Sequence, residues 1–295
     1  MSSKFKPQNF LNLPEHLSNF TTAEVVILGV PYEASTTYGK GTKHGPQAII
    51  DASSQLEWYD EELNAEPCQV GIATLMPFTE FDAQPERSVA QIAEVCDDLL
   101  QKKKFVVGIG GEHTITVAFV QAFKKFYPDM WVLQLDAHSD LRDSYHNSPL
   151  NHACVMARIG HLCPFLGLGI RSAVKKECDV LPAPSQIIYA HEMYQNLHWP
   201  DLVLEKLGDP VYITIDLDYF DPSVVPSVGT PEPGGFQWIE SIKFLRKIAR
   251  ARQIVGFDVV ELSPKPGFIA SEFFAAKLIY KLIGYIFEEK IMNYK

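Results

Sequence analysis

Apolar, β-branched-rich runs recur along the chain at Val25 to Val30, Gln69 to Ala73, Phe105 to Ile109, Trp131 to Leu135, Phe165 to Ile170, Gln186 to Tyr189, Val211 to Leu217 and Gln253 to Val259. Most are continuously hydrophobic, with no polar alternation. That is the pattern of strands buried on both faces of a parallel sheet. Between them lie stretches with a helical period: Val89, Ile92, Val95, Cys96 and Leu99 in one, Trp238, Ile242, Leu245 and Ile248 in another. A last segment, Ser271 to Phe287, sets Phe273, Phe274, Leu278, Ile279, Leu282 and Ile286 around Lys277 and Lys281, and predicts a long terminal helix docked on the sheet. Eight strands alternating with helices predict an α/β fold whose helices cover both faces of the sheet.

Composition narrows the class. With 295 residues, 46% hydrophobic and 21% charged, the chain is that of a globular protein, which excludes disorder, collagen and coiled coil. Length alone suggests two domains at about 150 residues each. No linker, repeat or composition break divides the chain, so a single domain over 1–295 is expected, with residues 1–22 as an N-terminal extension. The net charge of −10, with no run of five like charges, disfavours nucleic acid and anionic membrane as partners. Five cysteines with no CxxC pair read as unpaired thiols. The N-terminal stretch lacks a signal peptide's apolar run and no segment is long enough to span a bilayer, so a cytoplasmic location is expected.

Three polar clusters fall where strands should end: Gly110-Gly111-Glu112-His113, Asp136-Ala137-His138-Ser139-Asp140 and Asp216-Leu217-Asp218. In open parallel sheets the carboxyl ends of the strands line the ligand crevice, which would bring the clusters together. Residues two apart on an extended segment point the same way, so Asp136, His138 and Asp140 are expected to project together, as are Asp216 and Asp218. Four carboxylates gathered in a crevice repel one another, and two divalent cations would offset that charge. Oxygen donors with some imidazole and no thiol suit manganese or another borderline-hard ion better than zinc or copper. Two such ions generate hydroxide near neutral pH. A lone DxD or HxD is weak; the conjunction of all three clusters in this order is far more specific.

Six motifs then resemble the ureohydrolase (arginase and agmatinase) family: GGEHT at Gly110 to Thr114, LDAHSDLRD at Leu135 to Asp143, NHACVM at Asn151 to Met156, ITIDLDYFDPS at Ile213 to Ser223, GTPEPGG at Gly229 to Gly235 and VVELSP at Val259 to Pro264. The early segment Ser35 to Ala48 also looks like the family's loop between its first strand and first helix. The resemblance implies a three-layer α/β/α sandwich on an eight-stranded, mostly parallel sheet. It implies two Mn2+ per subunit, one held by His113, Asp136, Asp140 and Asp216, the other by His138, Asp136, Asp216 and Asp218. In the family's mechanism a hydroxide between the ions attacks the guanidinium carbon, and the tetrahedral intermediate collapses to urea and an amine. Asp140 would pass a proton to the leaving nitrogen, His152 would shuttle protons to bulk water, and Glu261 would hydrogen-bond the guanidinium. Thr230 either orients Glu261 in substrate binding or serves its turn. Family members assemble as trimers or hexamers, so a homo-oligomer is implied. His44, His146, His161, His191 and His198 stand outside these motifs and read as structural or solvated.

Leu141 to Asn147, the following LNHACVM and GTPEPGG resemble agmatinases more than arginases, which implies a small cationic guanidino substrate, agmatine, cleaved to putrescine and urea. Two departures stand out: Leu262-Ser263-Pro264-Lys265 after Glu261, where agmatinases usually carry proline, tyrosine and aspartate, and Lys43 where arginine is more usual. A pocket-facing Lys265 would favour a guanidino acid such as guanidinobutyrate. Guanidinopropionate, arginine and formiminoglutamate are the other substrates to separate, and a metal-binding regulatory paralogue is the non-enzymatic alternative. A single-zinc deacetylase on the same fold would need neither His113 nor both bridging carboxylates.

Overall fold

The computed structural model describes residues 9–293. Its eight strands are β1 (Val25–Val30), β2 (Ile72–Thr74), β3 (Phe105–Gly110), β4 (Trp131–Leu135), β5 (Phe165–Ile170), β6 (Gln186–Tyr189), β7 (Val211–Asp216) and β8 (Ile254–Val260). They form one sheet in the order β2-β1-β3-β8-β7-β4-β5-β6, every pairing parallel. Several strand boundaries differ from the sequence reading, and two of the differences have a local cause. Pro67–Val70 coils as a 3-10 turn and Gly71 follows at φ 76°, so β2 starts only at Ile72. Leu217 leaves β7 for a 3-10 turn because the Asp216 side chain accepts the Asp218 N–H at 2.9 Å.

Side chains alternate across the sheet into two apolar layers. Val25, Ile27, Val107, Ile109, Leu133, Leu135, Ile213 and Ile215 face one layer. The helices Gly45–Ser53, Trp238–Ala251 and Ala270–Ile286 close it. Val26, Leu28, Val30, Val106, Val132 and Tyr212 face the other, closed by Pro85–Gln101, Ile115–Phe126 and Val155–Ile159. Burial on both faces explains the continuously apolar strand sequences. The sheet is the expected sandwich, all-parallel rather than mostly parallel. Among the described residues no helix is long and apolar enough to cross a membrane, and the cysteines are unpaired thiols. Residues 1–8 of the expected extension lie outside the described residues. The rest of it is anchored by its apolar side chains: Phe10, Leu11, Leu13 and Leu17 are buried, and the Phe10 N–H donates to Thr74 Oγ1 at 2.9 Å.

The terminal helix meets its expected span within a residue, but Lys281 points inward, 2% exposed, to Asp60 and Glu62 at 3.1 and 3.2 Å. Just beyond it, Glu288 accepts from Arg250 at 2.7 Å and from Arg246 at 2.6 Å. The Arg250 and Arg246 hydrogen bonds together outweigh burial and hold its carboxyl down to about 2. A depressed acid stabilises the fold fully above its unfolded value, about 4.3, and loses that contribution as pH falls towards 2. Glu288→Gln should therefore lower the melting temperature at neutral pH and flatten its fall between those two pH values, read by thermal melts across pH.

Candidate metal centre

The polar clusters follow β3, β7 and β4, and with β8, whose end leads to Glu261, these strands are contiguous in the sheet. Their ends converge on one buried point. His113 occupies the bend between β3 and the helix Ile115–Phe126. Its Nε2 lies 2.9 Å from Thr214 Oγ1 on β7, and the Thr214 hydroxyl donates to Asp258 Oδ1 on β8 at 2.7 Å. With the hydroxyl hydrogen committed to Asp258, Thr214 can only accept from the imidazole, so in the neutral ring Nε2 carries the hydrogen and Nδ1 is the bare nitrogen. That Nδ1 lies 3.1 Å from Asp140 Oδ2, 3.2 Å from Asp136 Oδ2 and 3.5 Å from Asp216 Oδ2. It aligns on none of them and, among the described residues, makes no hydrogen bond. A buried lone pair among three carboxylate oxygens is an acceptor facing acceptors, which a bound cation or a proton satisfies.

Asp136 is fully buried and held from both sides, Oδ1 accepting from the His138 N–H at 2.6 Å and Oδ2 from Gln134 Nε2 at 2.8 Å. Asp218 Oδ1 accepts from the Ala137 N–H at 3.0 Å, while its Oδ2 lies 2.8 Å from His138 Nδ1. Two groups result whose ligand atoms lie within 4.8 Å of one another: His113, Asp136 and Asp140, and Asp136, His138 and Asp218. Asp136 belongs to both; Asp216 adjoins the first through its approach to His113. The carboxylates do not converge by extended alternation as the spacing predicts. Asp140 sits at φ 49°, its carbonyl pinned by the Met156 N–H at 2.9 Å, and Asp218 is brought in by the 3-10 turn.

Electrostatics express the crowding. Burial, reinforced by Asp218 and Asp140, raises Asp136 to about 7, and burial with Asp218 and Asp136 drives Asp216 well above the carboxylate range. Burial disfavours charged His138 and His113, yet Asp218 lifts the first to about 10 and Asp136 with Asp140 lifts the second well above an ordinary imidazole. Asp218 moves down, the charge and hydrogen bond of His138 overcoming its burial. The cluster thus draws positive charge to itself, and oxygen with imidazole donors and no thiol fit a divalent ion of intermediate hardness.

Above the cluster opens a cavity of about 210 Å³ whose lining includes Thr37, Tyr145, His152, Thr230 and Glu261. Glu261 follows β8 at φ 66°, is 8% exposed, and accepts the His113 N–H at 2.7 Å on Oε1. Burial, then the charge of Glu112, pushes its carboxyl well above the usual range. The backbones of β1 and β3 meet here so closely that a Cβ on Gly111 would lie 2.0 Å from the Tyr32 carbonyl oxygen. His152 opens a 3-10 turn whose cap is the Asn151 side chain, accepting the Ala153 N–H at 3.0 Å. Burial pulls its imidazole pKa down.

A model of the arginase family matches residues 23–284, nine-tenths of the chain. The chain belongs to the arginase family. It is 42% identical to the N(1)-aminopropylagmatine ureohydrolase of Synechocystis sp., covering 95% of this chain and 94% of that one. It is 36% identical to the agmatinase of Bacillus anthracis over 83% and 86% of the two chains. Among solved structures, the agmatine ureohydrolase of Thermoplasma volcanium superposes with a TM-score of 0.86 at 29% identity, covering 97% of each chain.

In this arginase-family chain the residues singled out from sequence do gather at one site, with two corrections. Among the described residues no hydrogen bond joins Thr230 to Glu261; the Thr230 hydroxyl donates instead to Asp218 Oδ2 at 3.4 Å. Lys265 is exposed, donates to the Pro226 carbonyl at 2.6 Å and is not part of the cavity wall, so the reason for favouring a guanidino acid falls away. Lys43 is likewise exposed. None of His44, His146, His161, His191 and His198 joins either metal-binding group among the described residues. Sequence reasoning missed the residues that hold the ligands. Thr214 and Asp258 are polar interruptions in apolar strand runs, a readable signal, since a buried polar group needs a partner. Arg171 gave no such signal, yet its guanidinium donates to the carbonyls of Asp218 at 2.6 Å, Glu232 at 2.9 Å and Pro233 at 3.1 Å, tying the turn after β7 to the GTPEPGG loop.

Proposed function

We propose that this chain is a two-metal ureohydrolase that removes urea from the guanidinium end of an agmatine-type polyamine. The observation that carries the reading is His113 Nδ1, buried without a hydrogen bond among three carboxylate oxygens. His113, Asp136, Asp140 and Asp216 would hold one ion, and His138, Asp136, Asp216 and Asp218 the other, with Mn2+ favoured by the donor set. When bound, the two ions supply a hydroxide nucleophile near neutral pH. Glu261 accepts hydrogen bonds from the guanidinium and fixes its plane against the cluster. Asp140 carries a proton to the leaving nitrogen, since an amine leaves only when protonated, and His152 exchanges protons with solvent. Thr230 steadies Asp218. A single domain, a homo-oligomeric assembly and a cytoplasmic location complete the reading.

For the substrate, a relative named for N1-aminopropylagmatine is 42% identical and one named agmatinase 36%, which puts the longer amine first and agmatine second. Both are cations suited to an acidic crevice, and hydrolysis would give urea with spermidine or with putrescine. The only Arg or Lys in the cavity wall among the described residues, Arg142, lies over the Tyr145 ring at 4.5 Å. The test is a panel of N1-aminopropylagmatine, agmatine, arginine, guanidinobutyrate, guanidinopropionate and formiminoglutamate with the manganese-loaded protein, measuring urea or formamide. We expect kcat/KM to be highest for the two polycations. Preference for any anionic or zwitterionic member overturns the substrate assignment.

A further inference from the structure

Two motifs outside the metal cluster, the glutamate of GGEH and the loop after β1, meet behind His152. Glu112 is fully buried, and its carboxylate takes four hydrogen bonds. Oε2 accepts from the N–H groups of Ala34 and Ser35 at 2.7 and 2.6 Å, and Oε1 from the hydroxyls of Ser35 and Thr114 at 2.6 and 2.7 Å. A carboxylate ringed by donors accepts only, so the hydrogen of the Ser35 hydroxyl is committed to Glu112. On its other side Ser35 Oγ accepts the backbone N–H of His152 at 3.0 Å and lies 3.1 Å from His152 Nδ1. An oxygen with no hydrogen left to give makes that nitrogen the donor. In the neutral ring Nε2 is then bare, 3.5 Å from Thr37 Oγ1 at the cavity wall.

We propose that Glu112 and Ser35 are positioning residues that hold His152 in its Nδ1–H tautomer, so that Nε2 meets the cavity as a proton acceptor. The inference rests on the reading of His152 as the proton carrier. The other tautomer would offer the cavity an N–H, which cannot take a proton from the reaction. The two partners lie 77 residues apart, so the early loop serves the site by fixing a ring rather than by lining the cavity alone.

The experiment uses the full metal-loaded chain as wild type, Ser35→Ala, Ser35→Thr and His152→Ala. Metal content and kcat and KM for the preferred substrate are measured. The nitrogen shifts of His152 are read by NMR of 15N-histidine-labelled protein carrying a diamagnetic divalent ion. We expect wild type to show a protonated Nδ1 and a bare Nε2. Ser35→Ala should lose that signature and about tenfold or more in kcat, with KM within about threefold and metal content unchanged. Ser35→Thr, which keeps the hydroxyl, should recover most of both. A wild-type His152 protonated at Nε2, or a Ser35→Ala variant with full kcat while His152→Ala is impaired, overturns the inference. Should His152→Ala be fully active, the proton-carrier reading falls, and the NMR signature alone decides the tautomer assignment.

Discussion

Asp136→Asn should leave the chain unable to hold two metal ions and lower kcat/KM by about a thousandfold or more, on the order of 4 kcal/mol of transition-state stabilisation. Asp136 belongs to both His/Asp groups, so one substitution touches both sites. The amide also fails on geometry. The His138 N–H and Gln134 Nε2 donate to opposite oxygens of the carboxylate, and an asparagine in either orientation sets its own NH2 against one of them. Wild-type protein should gain thermal stability when a divalent ion is added, by about 2.7 kcal/mol per site at a hundredfold excess over that site's dissociation constant, and the variant should gain far less. Metal content per chain and the metal-dependent melting shift measure this. Two ions in the variant at wild-type affinity would contradict it.

Glu261→Gln should cost about a hundredfold or more in kcat/KM, the range of a lost charge-assisted hydrogen bond, while metal content stays at the wild-type level. Glu261 is in neither His/Asp group, and its Oε1 is already taken by the His113 N–H. A glutamine that keeps that bond must turn its NH2 towards the cavity, where a guanidinium offers only donors. The loss is then active opposition as well as a missing bond. Its backbone at φ 66° is held by the N–H bond to the Gly111 carbonyl at 2.9 Å and is untouched by the change. Steady-state kinetics with metal analysis separate this from a folding defect; a variant with unchanged kcat/KM would remove Glu261 from substrate binding.

The strands were legible because burial on both faces leaves continuously apolar runs, and Trp131–Leu135 and Phe165–Ile170 fall where those runs lie; the edge strand Gln186–Tyr189 also falls on its run, although only Ile188 in it is buried. The start of β2 was not, since Val70 runs on into the apolar Ile72 and Ala73 and only Pro67 and the left-handed Gly71 stop it extending. At the site, residue types and strand-end positions pointed to the ligands, but not to how they converge. The left-handed Asp140 is held by the Met156 N–H from a later helix, and the turn over Leu217–Tyr219 by the local cap of the Asp216 side chain on the Asp218 N–H. A two-residue period cannot report that. Ser35 and Glu112 were visible as parts of motifs, yet their link to His152 is purely tertiary, and so is the grip of Arg171 on Asp218.

The strand-end cluster should bind two divalent ions that are required for urea release. Titrating manganese into metal-depleted protein, with bound metal and urea production from N1-aminopropylagmatine and agmatine measured at each step, tests it most directly. The account predicts uptake of two ions per chain, with urea formation appearing as the sites fill and absent before. Fewer than two bound ions at saturation, or urea formation by the metal-free protein, would contradict it.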